Sequence, residues 1–414
     1  MNINNIVESI INRASVFKNR SVLDRSYVPE RLPHRDRQLA LLAELFKPTV
    51  TSPGSISITA LLVGDIGVGK TVTAYVFGRE LVKVAEKKGI ELRYIHVNCH
   101  SARTLYGVVQ SIAAALSLSI PFRGLSPREM MLIVLNHMKK HNLHALITLD
   151  EFNYFVQVAG NDAVYFLIRL YDEYPEAEKR LHYILITRSL EVLGSLDPAT
   201  ESYITKHIIK FDPYKTEELF DILKQRRDLA FYENTVDDEI LKYIAETEGY
   251  DKGGRGNARA AIEILLRAGI IADYEGSPYI KIEHVRKAIG EIREELLVDI
   301  SDNLQFLQLH ELMVLKAIIR KLRSSGEGYI KIGEAEEEYS YLCNILKIKP
   351  RKHTQVYEYI RNLKNMGIIN AKISGKGFRG RTTLISIPVP LDPLEKRVDE
   401  LIDKRLVEKE VNTI

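Results

Sequence analysis

LLVGDIGVGKTVTAYVF, residues 61–77, is the stretch on which the fold turns. An apolar run leads into a loop carrying Gly64, Gly67, Val68 and Gly69, then Lys70 and Thr71, and a helix-compatible run follows. The spacing is G-x-x-x-x-G-K-[ST]. Glycines let the backbone turn tightly, so that successive N–H groups point inward around one phosphate. The helix that follows adds its positive N-terminal end. Lys70 is then placed to reach the β- and γ-phosphates, and Thr71 to offer a hydroxyl to Mg²⁺. The stretch predicts a site for ATP or ADP with Mg²⁺, on a strand–loop–helix unit.

Outward from this loop, ITALLVG (58–64), LRYIHVN (92–98), HALITLD (144–150) and LHYILIT (181–187) are β-rich and almost uniformly apolar. Strands buried on both faces of a parallel sheet read in this way. TVTAYVFGRELVKVAEKKG (71–89) and LYGVVQSIAAALS (105–117) lie between them with helical patterns. The alternation predicts an α/β domain with a doubly wound parallel sheet and its ligand at the carboxyl ends of the strands. LITLDEFN (146–153) ends a strand in Asp150 and Glu151. One carboxylate, Asp150, would sit near the metal ion, and the other, Glu151, would orient the attacking water. YILITRS (183–189) ends a further buried strand in Thr187 and Arg188.

From Tyr214 to about Val298 the strand signal gives way to amphipathic helical runs, an all-helical domain. There GRGNARAAIEILLRAG places Arg259 near a helix start, where a guanidinium can fork onto a phosphate. From about Ser301 the pattern becomes helix, helix, helix, hairpin. HTQVYEYIRNLKNMGII (353–369) carries Val356, Tyr359, Ile360, Leu363 and Met366 at helical spacing. Its opposite face offers His353, Thr354, Gln355, Tyr357, Arg361 and Lys364, of which Gln355 and Arg361 suit base edges in a major groove. IINAKIS and TTLISI flank GKGFRGR (375–381), a hairpin tip bearing Lys376, Arg379 and Arg381 that suits a minor groove. This is the pattern of a winged-helix DNA-binding domain. The expected division is an α/β nucleotide domain over 1–212, a helical lid over 213–300 and a winged helix over 301–414.

The 414-residue length fits two or three domains, and 45% hydrophobic with 27% charged residues is an ordinary globular composition. No apolar run is long enough to span a membrane, and the first 20 residues lack the apolar core of a secretory signal. Cys99 and Cys343, far apart, suit a reducing compartment. The net charge of +3 says little by itself. Its distribution says more: nine Lys or Arg against one acid, Glu358, between Lys349 and Arg381. A polyanion-binding face requires such a concentration.

Taken together, these motifs resemble the archaeal origin-recognition initiators, relatives of the eukaryotic origin recognition complex and its helicase-loading partner, from about Ser26 to Pro390. In that family SYVPERLPHRDRQ (26–38) corresponds to a segment lying against the nucleotide base. FDPYKTEELFDILKQR (211–226) corresponds to the opening of the lid, so the resemblance implies nucleotide contacts for Tyr214 and Arg226. GNAR (256–259) matches the lid arginine motif, which gives Arg259 a phosphate-binding and catalytic role. PFRGLSPRE (121–129) resembles an insertion that touches DNA, with Arg123 and Arg128 as its contacts. The resemblance further implies origin DNA, a replicative helicase of the minichromosome maintenance type and other initiator paralogues as partners, in the cytoplasm at the nucleoid.

Two positions depart from the family pattern. Thr187–Arg188 stands where the family usually has Ser-Asn to sense the γ-phosphate. Ala199 and Thr200 stand where an inter-subunit arginine usually falls, a group worth roughly 10³–10⁵ in rate. Both point to a slow ATPase switch and a divergent paralogue, its nucleotide held more than consumed. Two other readings stay open: a P-loop signalling or defence ATPase with an appended winged helix, and a DNA-binding regulator with a nearly inert nucleotide site. The insertion and the GNAR lid weigh against the first, and intact Lys70, Thr71, Asp150 and Glu151 against the second.

Overall fold

The computed structural model describes residues 14–118, 124–292, 304–305, 307–365, 368–373 and 382–411. The chain forms two compact units, one from residues 25–222 and 249–259, the other from the remainder. Among the described residues no helix is long and apolar enough to cross a membrane.

The first unit is a five-stranded parallel sheet: β1 (Thr59–Val63), β2 (Leu92–Asn98), β3 (His144–Asp150), β4 (Leu181–Thr187) and β5 (Ile208–Lys210). Its spatial order is β2-β3-β4-β1-β5. Neighbouring residues of a strand face opposite sides, and both sides are apolar in β1, β3 and β4. β2, expected above to be buried on both faces, lies at the sheet edge and alternates buried Leu92, Ile95 and Val97 with exposed Arg93 and Asn98. Leu61, Leu149 and Leu185 pack on one side with Val108, Ile112, Met130, Val134 and Phe155. Those partners come from α3 (Leu105–Ala115), α4 (Pro127–Lys140) and α5 (Phe152–Ile168). Ala60, Leu62, Ile184 and Ile186 pack on the other side with Leu42 and Phe46 of α1 (Asp36–Phe46) and Ala74 and Phe77 of α2 (Lys70–Lys87). Each fully buried Leu or Ile contributes about 1.5–3 kcal/mol, so the sheet is a stiff platform. β5 has no counterpart among the strands expected above; three residues are too few to set a periodicity.

α4 begins in a capping box. Ser126 Oγ accepts the Glu129 N–H, and Glu129 accepts the Ser126 N–H, with Pro127 in the first turn. This start lies within 121–129, so the described part of that segment ends in helix.

In the second unit, α6 (Thr216–Ala230) contributes its residues 223–230 and is followed by α7 (Asp238–Glu248), α8 (Ala258–Glu275), whose first two residues belong to the first unit, and α9 (Ile282–Ile292). Then come α10 (Leu309–Ser325), β6 (Ile330–Lys331), α11 (Ile332–Ile345), α12 (His353–Asn365), β7 (Asn370–Ile373), β8 (Thr383–Ser386) and α13 (Leu391–Val411). The strands form an antiparallel sheet in the order β6-β8-β7, with Asn370 opposite Ser386 and Ile373 opposite Thr383. Leu315, Ile318, Tyr339, Val356, Ile360, Leu363 and Ile385 share one core. The helix order and the sheet make this part a winged helix. Tyr243 of α7 donates its hydroxyl to the Ile387 carbonyl at 2.9 Å, tying the helical segment to the end of β8.

Candidate nucleotide site and nucleic-acid interface

The sheet register brings the acidic motif to the phosphate loop. β1 and β4 align Val63 with Thr187, and β2 and β3 align Asn98 with Asp150. Because β4 lies between β3 and β1, the tips of all three strands reach one carboxyl edge.

The loop leaves β1 and turns at Gly67 (φ +78°) and Gly69 (φ +92°), both in the left-handed region. A Cβ on Gly67 would collide with the Asn257 side chain, and one on Gly69 would lie 2.7 Å from the Tyr214 hydroxyl. Space and conformation therefore both select glycine. Val68 is fully buried in the core, and its carbonyl faces Arg35. Lys70, in the first turn of α2, donates Nζ to the carbonyls of Gly64 (2.6 Å) and Asp65 (2.7 Å). Burial lowers its pKa to about 8, against the opposing pull of Asp150, Glu151 and Asp65.

Thr71 donates its hydroxyl to Asp150 Oδ2 at 2.9 Å, and the Glu151 N–H donates to Oδ1 at 2.8 Å. His96 Nε2 lies 3.5 Å from Oδ2, its ring stacked 4.2 Å from that of Tyr75. Burial by itself would push the Asp150 carboxyl up. The bond and charge of His96 and the bonds from Thr71 and Glu151 outweigh it, holding the group below the usual range. A hydroxyl and an ionised carboxylate in contact are the hard oxygen donors that Mg²⁺ takes. Glu151 caps α5 in a left-handed conformation (φ +53°), and its carboxylate pairs with Arg188 at 3.2 Å. Thr187 is buried and donates its hydroxyl to the Ser189 carbonyl.

Tyr214 is buried beneath the Arg35 guanidinium, whose centre lies 3.8 Å from the ring centroid. Arg35 also donates to the carbonyls of Val68 and Asp212. The Ala258 N–H donates to the Gly67 carbonyl at 3.1 Å, which sets GNAR against the phosphate loop and leaves Arg259 exposed in the first turn of α8. Arg226 belongs to the second unit, where its buried guanidinium donates to the Val22 carbonyl at 3.0 Å.

Three residues of this neighbourhood escaped the sequence reading. Arg35 lies inside SYVPERLPHRDRQ but has no motif of its own, Asn257 was read only as part of GNAR, and His96 looks like one of several polar residues, with Arg93 and Asn98, in the strand LRYIHVN. Pairing between strands, which local sequence does not display, is what gives His96 its place.

On the winged helix, α12 buries Val356, Ile360 and Leu363 and half-buries Tyr359, while His353, Thr354, Gln355, Tyr357, Arg361 and Lys364 are exposed. β7 and β8 carry the two sides of the hairpin. Met366, Lys376, Arg379 and Arg381 lie outside the described residues, as does Arg123. Arg128 is paired with Glu173 and lies 4.6 Å from the Phe166 ring centroid.

Comparison with known proteins agrees with this architecture. An AAA domain family matches residues 59–193, the Cdc6 AAA+ ATPase-type lid domain matches 220–290, and the CDC6 C-terminal winged helix domain matches 302–397. ORC1-type DNA replication protein 2 of Sulfolobus acidocaldarius is 43% identical over 413 residues, 99% of each chain. The crystal structure of Cdc6p from Pyrobaculum aerophilum superposes with a TM-score of 0.81 at 33% identity, covering 95% of this chain and 100% of that one. The Aeropyrum pernix ORC1 protein, solved in complex with DNA, superposes with a TM-score of 0.60 at 29% identity, covering 95% and 99%. Carrying the AAA domain, the Cdc6-type lid and the winged helix in that order, the chain belongs to the family of ORC1-type DNA replication proteins.

Proposed function

We propose that this protein is a nucleotide-controlled replication initiator that binds double-stranded origin DNA and helps recruit or load the replicative helicase. The carrying observation is the convergence of Lys70, Thr71, Asp150 and Glu151 at one sheet edge, in a chain whose α12 displays an exposed polar and basic face. In this reading ATP or ADP lies in the loop formed by Gly64, Gly67, Val68 and Gly69, and Lys70 exchanges its two carbonyl partners for phosphate oxygens. Thr71 and Asp150 hold Mg²⁺, which when bound neutralises phosphate charge. Glu151 orients the attacking water, and Arg259 forks onto phosphate from the lid. Tyr214 contacts the nucleotide. Turnover is slow, because Ala199 and Thr200 leave no inter-subunit arginine at the expected place.

Three domains, 1–212, 213–300 and 301–414, divide this work, in the cytoplasm at the nucleoid. Gln355 and Arg361 read base edges, and Lys376, Arg379 and Arg381 follow the minor groove. Arg123 and Arg128 add phosphate contacts, Arg128 after leaving Glu173. Support comes from the family and from the DNA-bound Aeropyrum pernix relative. Titration calorimetry with ATP and Mg²⁺ tests the first half: Lys70→Ala should weaken binding at least tenfold, and equal affinity for both proteins overturns the assignment. Fluorescence anisotropy tests the second half. Gln355→Ala with Arg361→Ala should lose affinity for an origin duplex and little for a scrambled one.

A further inference from the structure

Arg188 is the first side chain to emerge from β4, because Thr187 is buried and spent on the Ser189 carbonyl. It turns back to Glu151, its Nη2 lying 3.3 Å from Oε1 and 3.2 Å from Oε2. Glu151 itself has little freedom in its main chain. It occupies a left-handed backbone position at the cap of α5, and its N–H is committed to Asp150. Its carboxylate is the part free to move, and a guanidinium holds it.

We propose that Arg188 is a positioning residue that latches the Glu151 carboxylate away from the attacking water, making slow hydrolysis an intrinsic property of this chain. The inference rests on the nucleotide-site reading and deepens it. A carboxylate neutralised by a guanidinium accepts a hydrogen bond from water less well than a free one, and it must leave its partner to reach a substrate. The pair is partly solvated, with side chains 45% and 33% exposed, so the latch is weak enough to open. An uncharged side chain such as Asn at this place would have no charge with which to neutralise Glu151.

Single-turnover hydrolysis of ATP with Mg²⁺ by the full-length chain tests the latch, alongside equilibrium binding of ADP and of a non-hydrolysable ATP analogue. Arg188→Asn should raise the single-turnover rate about two- to fivefold, the range a partly exposed ion pair supports, while both affinities stay within about twofold. Arg188→Lys, which keeps the charge but replaces the rigid, planar guanidinium with a flexible ammonium, should fall between the two. In a Glu151→Gln background Arg188→Asn should change nothing, because the group it acts through is gone. A slower or unchanged Arg188→Asn rate overturns the latch. So does an equal factor with and without Glu151, which would mean that Arg188 acts on phosphate directly. A wild-type chain that binds no ATP defeats the nucleotide reading itself, whereas normal binding with unaltered hydrolysis defeats the latch alone.

Discussion

The carboxyl edge of the parallel sheet and the exposed face of α12 manage their functional groups in opposite ways. At the sheet edge each group has a protein partner: Lys70 has two carbonyls, Thr71 has Asp150, Glu151 has Arg188, and Arg35 has Val68 and Tyr214. On α12, Gln355, Arg361 and Lys364 are displayed to solvent above a buried apolar seam. Chemistry on a phosphate depends on groups held within a fraction of an ångström by packing and by further hydrogen bonds. Groove reading depends on long polar side chains that are available to the DNA. The first region should therefore couple function to stability, and the second should separate them.

That contrast can be broken in several ways, taken from the largest expected stability effect to the smallest. Acid should strike the sheet first. His182, buried near the start of β4, has its pKa pushed down to about 3 by burial and, secondarily, by the charge of His144. An unfolded chain takes up that proton near 6.5 and the folded one refuses it. Its stability contribution is therefore complete above pH 6.5 and falls by on the order of 4–5 kcal/mol as the pH drops to 3. Asp150, held below the usual carboxylate range, withdraws stability in the same direction at the acid end. Hydrogen exchange should show residues 181–187 losing protection across this window before residues 353–365. His182→Leu should flatten the slope, and simultaneous loss of protection in both regions would break the comparison.

Next comes packing. Leu185→Ala, in the fully buried stretch between β3 and β1, should cost roughly 2–5 kcal/mol in a urea midpoint series and lower ATP affinity with it. Gly69→Ala should cost about 1–2 kcal/mol, since a side chain there meets both a left-handed φ and the Tyr214 hydroxyl. It should weaken nucleotide binding in calorimetry while DNA affinity is kept. The smallest shift belongs to Arg361→Ala, within about 0.5 kcal/mol in a thermal melt. Its preferred duplex should nevertheless bind ~1–3 kcal/mol more weakly in anisotropy. A large Tm change there would mean that the α12 face is structural.

The strand–loop–helix at 59–87, the acidic end of β3, the amphipathic seam of α12 and the sequence of helices from Thr216 onward were all readable in the chain alone. Each is encoded within one element, by glycine spacing or by a period of 2 or 3.6 residues. The insertion of β4 between β3 and β1, the brief strands β5 and β6, the stack of Arg35 on Tyr214, the approach of His96 to Asp150 and the grip of Arg188 on Glu151 were not. All of these depend on which segments meet across long stretches of sequence. Such meetings are set by the fit of two apolar sheet faces and by strand register, which aligns Val63 with Thr187 and Asn98 with Asp150. Local patterning thus determined which groups the site could use. Tertiary packing decided which of them touch, because a side chain's partner is chosen by distance in space, and the sequence records distance only along the chain.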